Sequence, residues 1–106
     1  MKNELSIITI HSGEKNNLIK TLDSIDNQVK KPKLNLVIIK KIKNFNYSQY
    51  KKKYRKFIVG KDKSLWNAMN IGLKNTKKMN ILFLNSGDVL YKNNTVKIIN
   101  NKIKFN

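Results

Sequence analysis

An α/β fold in three layers, with helices on both faces of a mostly parallel sheet of about four strands, is predicted by three features of this sequence. Short, nearly continuous apolar runs recur along the chain, as strands buried on both faces require. Between them lie segments whose apolar residues fall at helical spacing. Turn formers and charged residues close each run. At 106 residues the chain suits a single domain, residues 1–106, with one modest core.

The first run, Leu5-Ser6-Ile7-Ile8-Thr9-Ile10, is rich in β-branched residues and stops at His11-Ser12-Gly13, which predicts a buried strand. Over residues 16–29, Leu18, Ile19, Leu22, Ile25 and Val29 share one helical face, with Asn and Asp on the other side. Pro32 interrupts the chain before a second strand, Leu34-Asn35-Leu36-Val37-Ile38-Ile39. Residues 46–56, rich in Lys and Tyr, read as an exposed helix, followed by a short strand at 57–59 closed by Gly60. Ser64 can cap a helix over 64–76 that carries Leu65, Ala68, Met69, Gly72 and Leu73 on one face. A further strand over 79–84 ends at Asn85-Ser86-Gly87-Asp88, and a last helix is expected over 94–103. This alternation predicts crossover connections, a Rossmann-like topology and a ligand site beyond the carboxyl ends of the strands.

A formal charge of +17 would ordinarily point to polyanions. Almost every basic residue is Lys, however, with Arg55 the only Arg. Specific readers of bases and phosphates favour the planar guanidinium fork, so no specific nucleic-acid partner is expected. Abundant Lys and Asn are what A/T-rich codons produce, and much of the charge is attributed to that drift. With no Cys, disulfides and thiolate metal sites are excluded. The N-terminal apolar run is too short for a signal peptide or a membrane span, so a cytoplasmic location is expected, with room for peripheral contact at the anionic inner face of the membrane.

The acids are few: Glu4, Glu14, Asp23, Asp26, Asp62 and Asp88. Asp62 precedes the 64–76 helix and Asp88 follows the last strand, which puts both at the carboxyl edge of a parallel sheet. A carboxylate there, beside Ser and Asn oxygens, is a hard donor suited to Mg²⁺ or Mn²⁺ when diphosphate oxygens complete the shell. Taken alone, Asn-Ser-Gly-Asp reads first as a plain turn. His11, the single His, has the chemistry of a base but no acidic partner in sequence, and reads as a strand-end residue or nucleotide contact.

Two stretches shift that balance. Asp62-Lys63-Ser64-Leu65-Trp66-Asn67-Ala68-Met69-Asn70-Ile71-Gly72 and Ile81-Leu82-Phe83-Leu84-Asn85-Ser86-Gly87-Asp88 resemble the family 2 glycosyltransferases, whose pattern is D-x-G-I-Y-D-A-M-N-x-G and then F-L-N-S-G-D. Leu5 to Thr9, Leu18, Thr21-Leu22-Asp23-Ser24-Ile25 and Gln28 are similar to that family's opening strand and first helix. The resemblance implies a truncated GT-A-like fold that binds a nucleoside diphosphate sugar with a divalent cation, Mg or Mn. It implies Asp88 as the surviving carboxylate of a D-x-D-type metal motif, with Asn85 and Gly87 where other members carry acids. Thr9 and His11 would lie beside the nucleoside, and Asp62 and Asn70 would face base, ribose or diphosphate from the other side. Trp66 stands where the family has Tyr and is expected to pack into the core.

The chain departs from the family at two points. Lys40-Lys41-Ile42-Lys43-Asn44 replaces D-G-x-S-x-D, so the acid that reads the nucleoside is absent. The family's second half, with its acceptor platform and carboxylate base, has no counterpart, and Asp88 is the last acid. No catalytic residue is therefore assigned, and transfer to an acceptor glycan or lipid-linked saccharide is expected only if a missing half or a partner completes the site. Two other readings compete: a Lys-rich polycationic module for nucleic acid or anionic membrane, and an inactive, degenerate glycosyltransferase copy.

Overall fold

A computed structural model describes residues 4–11, 13–39, 45–59, 67, 70, 72–74 and 80–104. Its strands are β1 (Leu5–Ile10), β2 (Leu34–Ile39), β3 (Arg55–Val59) and β4 (Asn80–Phe83). Helix α1 (Lys15–Asp26) joins β1 to β2, and α2 (Thr95–Lys104) follows β4. The four strands form one sheet in the order β3-β2-β1-β4, and every pair is parallel. This is a small Rossmann-like α/β fold, as the alternation of runs predicts.

Side chains alternate across the central strands, and the two faces have separate clusters. On one face Leu5 and Ile7 pack with Ile25, Leu84 and Val96, while Val37 and Ile39 pack with Leu18, Leu22 and Phe45. Helix α1 thus presents Leu18, Leu22 and Ile25, all fully buried, to this face, each contributing roughly 1.5–3 kcal/mol. The other face gathers Ile8, Ile10, Leu36 and Ile38. Gly72, in a helical stretch, backs directly onto that face. A Cβ there would lie 3.0 Å from Ile8 Cδ1 and 3.2 Å from Ile38 Cδ1, so even a methyl group would require those side chains to give by a few tenths of an ångström.

Residues 46–56 correct an expectation, for they do not form a helix. One 3₁₀ turn, Tyr47–Tyr50, is followed by an exposed passage into β3, which begins at Arg55 rather than at 57. The i, i+3 spacing of a 3₁₀ turn eclipses Tyr47 and Tyr50. Both then reach Phe45, whose ring lies 4.8 Å from Tyr47 and 5.5 Å from Tyr50 between centroids. Tyr47 meets Phe57 of β3 edge-on at 5.3 Å. Aromatic packing under α1 therefore replaces the helix in this crossover. The helix predicted over 64–76 is described only at 67, 70 and 72–74, all helical. Ser64, Leu65, Trp66, Ala68, Met69 and the Lys40-to-Asn44 segment lie outside the described residues.

Below the sheet is a second, polar feature of the core. Arg55, with its side chain fully buried, places its guanidinium on Asp26 at 2.8 and 3.1 Å and donates Nε to Asn35 Oδ1 at 2.8 Å. Asn35 in turn donates to Ile7 O and Thr9 Oγ1. The Tyr54 hydroxyl also donates to Asp26. Burial, reinforced by that hydrogen bond, pushes the Tyr54 hydroxyl above the ordinary phenol range, so it remains a donor. Asp26 ends α1, Asn35 opens β2 and Arg55 opens β3, so the network ties three elements at the amino edge of the sheet.

Candidate functional site

In a parallel sheet the crevice for a ligand lies where the strand order reverses, outside the carboxyl ends. Here the chain builds β1, β2 and β3 outward in one direction and then lays β4 on the far side of β1. The reversal therefore falls between β1 and β4, and the segments leaving those two strands form the candidate site.

The exits of the two strands stay joined past the ladder. Leu84 N donates to Ile8 O at 2.9 Å and Ser86 N to Ile10 O at 3.0 Å. Residues 85–88 then close a turn, Asp88 N donating to Asn85 O at 2.9 Å. Gly87 at its third position has φ +96°, the type II pattern that a side chain disfavours. This turn leaves Asp88 exposed beside the crevice, and its carboxylate makes no hydrogen bond or ion pair among the described residues.

Helix α1 holds the turn and the segment after it by a polar stripe. The Thr21 hydroxyl, fully buried, accepts from Gly87 N at 2.8 Å and gives its single proton to Asp88 O at 2.7 Å. One turn further along, Ser24 Oγ accepts from Leu90 N at 3.1 Å. Gln28, also buried, donates to Lys92 O at 2.6 Å and accepts from Val96 N at 3.0 Å, satisfying an otherwise orphaned donor at the start of α2. Thr21, Ser24 and Gln28 carry no assigned role in the sequence reading. Their signal was present: polar residues at 21, 24 and 28 run beside the apolar Leu18, Leu22 and Ile25, the spacing of a buried polar stripe.

The other proposed contacts are placed unevenly. His11 continues β1, its N donating to Ile38 O at 3.0 Å, and the residue is 7% exposed. Neither ring nitrogen has a hydrogen-bond partner of full geometry among the described residues. Burial lowers its pKa below 6.5, an effect the Gly13 backbone partly offsets. Thr9 does not reach the crevice surface: it is fully buried, and its hydroxyl accepts from Asn35. Asn85 is exposed on the turn, and Asn70 is exposed on its helix. Asp62 lies outside the described residues.

A depressed histidine pKa has a defined stability consequence. The folded state favours neutral His11, so its contribution is complete above pH 6.5 and is lost as pH falls through the lowered folded value. Urea midpoints compared at about pH 7 and about pH 5 are expected to fall more for the native protein than for His11→Gln. Equal falls would show that His11 is not held neutral by its setting.

Among the described residues no group of three His, Cys, Asp or Glu side chains converges to hold a metal ion. A single carboxylate still fits a hard divalent cation when phosphate oxygens and water fill the remaining positions, and Asp88 is exposed to solvent. No helix among the described residues is long and apolar enough to cross a membrane. Compared with known proteins, the chain matches no family model, no curated protein and no solved structure.

Proposed function

We propose that this protein binds a nucleoside diphosphate sugar together with Mg²⁺ or Mn²⁺ in the crevice between the exits of β1 and β4. The observation that carries the reading is the placing, at the reversal of strand order, of a buried histidine whose ring nitrogens have no hydrogen-bond partner of full geometry among the described residues beside a turn that presents an exposed carboxylate. The resemblance of residues 81–88 to the family 2 glycosyltransferase motif supports the same assignment. Asp88 would hold the cation, which offsets diphosphate charge. Asn85 would supply an amide to the same ligand, and His11 a ring nitrogen toward the nucleoside. Asn70 and Asp62 enter only through the resemblance. Sugar transfer to a glycan or lipid-linked acceptor is the reaction class this binding would serve, with a base from outside the residues assigned here.

Calorimetric titration of uridine and guanosine diphosphate sugars in the presence of Mn²⁺ tests the proposal. Binding by the native protein is expected, with Asp88→Ala weaker by on the order of ten- to a hundredfold, as for loss of a charge-assisted contact. Indistinguishable titrations for the two proteins would sink it.

A further inference from the structure

We infer that the amino edge of the sheet, opposite the crevice, is a docking surface for an anionic lipid bilayer. A parallel sheet returns the chain to one edge before every strand, so residues distant in sequence converge there. Lys30, Lys31 and Lys33 immediately precede β2, and Lys51, Lys52 and Lys53 immediately precede β3; all six are exposed. Helix α2 joins the same edge, since Val96 N bonds Gln28 at the end of α1 and Asn100 Oδ1 accepts from Leu5 N at the start of β1. Its exposed Lys97 and Lys102 extend the cluster.

Little opposes this charge locally. Glu4 offsets Lys30 at 3.5 Å and Lys31 Nζ caps the Asp26 and Gln28 carbonyls while keeping its charge, and Asp26 is taken by the buried Arg55. Apolar side chains stand exposed among the lysines: Val29 is 62% exposed and Ile98 44%. Tyr91, 91% exposed, sits between residues fastened to the same end of α1. Ammonium groups on flexible stems interleaved with aliphatic and aromatic side chains suit an anionic headgroup layer with an acyl region beneath. A nucleic acid would be served better by guanidinium forks, and Arg55, the only one, is buried in its ion pair. The crevice lies a strand length away, roughly 20 Å, and opens away from a bilayer docked here, toward soluble donors.

Sedimentation with phosphatidylcholine vesicles, with and without phosphatidylserine, tests this independently of nucleotide binding. Binding is expected only to the anionic vesicles and to weaken as salt shortens the screening length. Each lysine near the surface is worth about fivefold in affinity, so Lys51→Gln/Lys52→Gln should weaken binding by roughly twenty-five-fold. Lys15→Gln/Lys20→Gln, which removes the same charge from the other end and middle of α1, should change it only severalfold. Equal losses in the two variants would overturn the localisation. Failure to bind anionic vesicles, or retention on single-stranded RNA in their place, would overturn the proposal.

Discussion

Asp26→Ala is expected to destabilise the protein by about 3–5 kcal/mol, the cost of stranding one partner of a buried pair. The substitution leaves a guanidinium with no exposed side-chain surface and, among the described residues, the Asn35 and Tyr50 oxygens and the face of the Tyr54 ring as its remaining partners. Removing Arg55 instead should cost less. Asp26 keeps 17% of its side chain in water and retains the Tyr54 hydroxyl, so its charge is partly solvated and still hydrogen-bonded. Arg55→Met, which also preserves most of the apolar stem, is therefore expected to be the milder variant. Urea unfolding of both proteins orders them. A domain of this size has roughly 5–15 kcal/mol in total, so Asp26→Ala should consume a large part of its stability. A loss under about 1 kcal/mol for Asp26→Ala would show that water reaches the guanidinium and that the network matters little.

The second large effect is expected at Gln28, where leucine preserves volume and removes only hydrogen bonds. Gln28→Leu strands the buried Val96 N–H and removes one donor from Lys92 O, which keeps Thr95, for a predicted loss of about 2–3 kcal/mol. Its consequence reaches the site, because residues 85–96 hang on the Thr21, Ser24 and Gln28 stripe. Amide exchange at Leu90 and Val96 should accelerate, with a smaller change at Gly87, which keeps both Thr21 Oγ1 and Asn17 O as acceptors. Uniform acceleration across all three amides would mean that the segment opens as one unit rather than being held bond by bond.

The contrast between the helix expected at 46–56 and the 3₁₀ turn found there shows where local reading stops. Lys and Tyr spacing is compatible with a helix, but the decision rests on Phe45 and Phe57, whose rings draw Tyr47 and Tyr50 beneath α1. Thr9 shows the same limit at the site. Its position at the carboxyl end of β1 suited a nucleoside contact, yet side-chain alternation turns it onto the α1 face, where Asn35 occupies its hydroxyl.

Local pattern alone specified the strands β1 and β2 to both ends and the existence of α1 and α2, because a strand buried on both faces is largely apolar and a packed helix repeats near 3.6 residues. It also marked Asp88, through few acids and a turn-forming context. That β4 lies beside β1, and so that the exits carrying His11 and Asp88 are neighbours at the carboxyl edge, is set by the order of the strands in the sheet. The tertiary structure alone paired Asp26 with Arg55, bound Gln28 to Val96, and collected the lysines ahead of β2 and β3 along one edge. The reason is common to all of these. Local periodicity records which side of an element is buried, whereas partners dozens of residues apart are chosen by how the elements are ordered in the sheet.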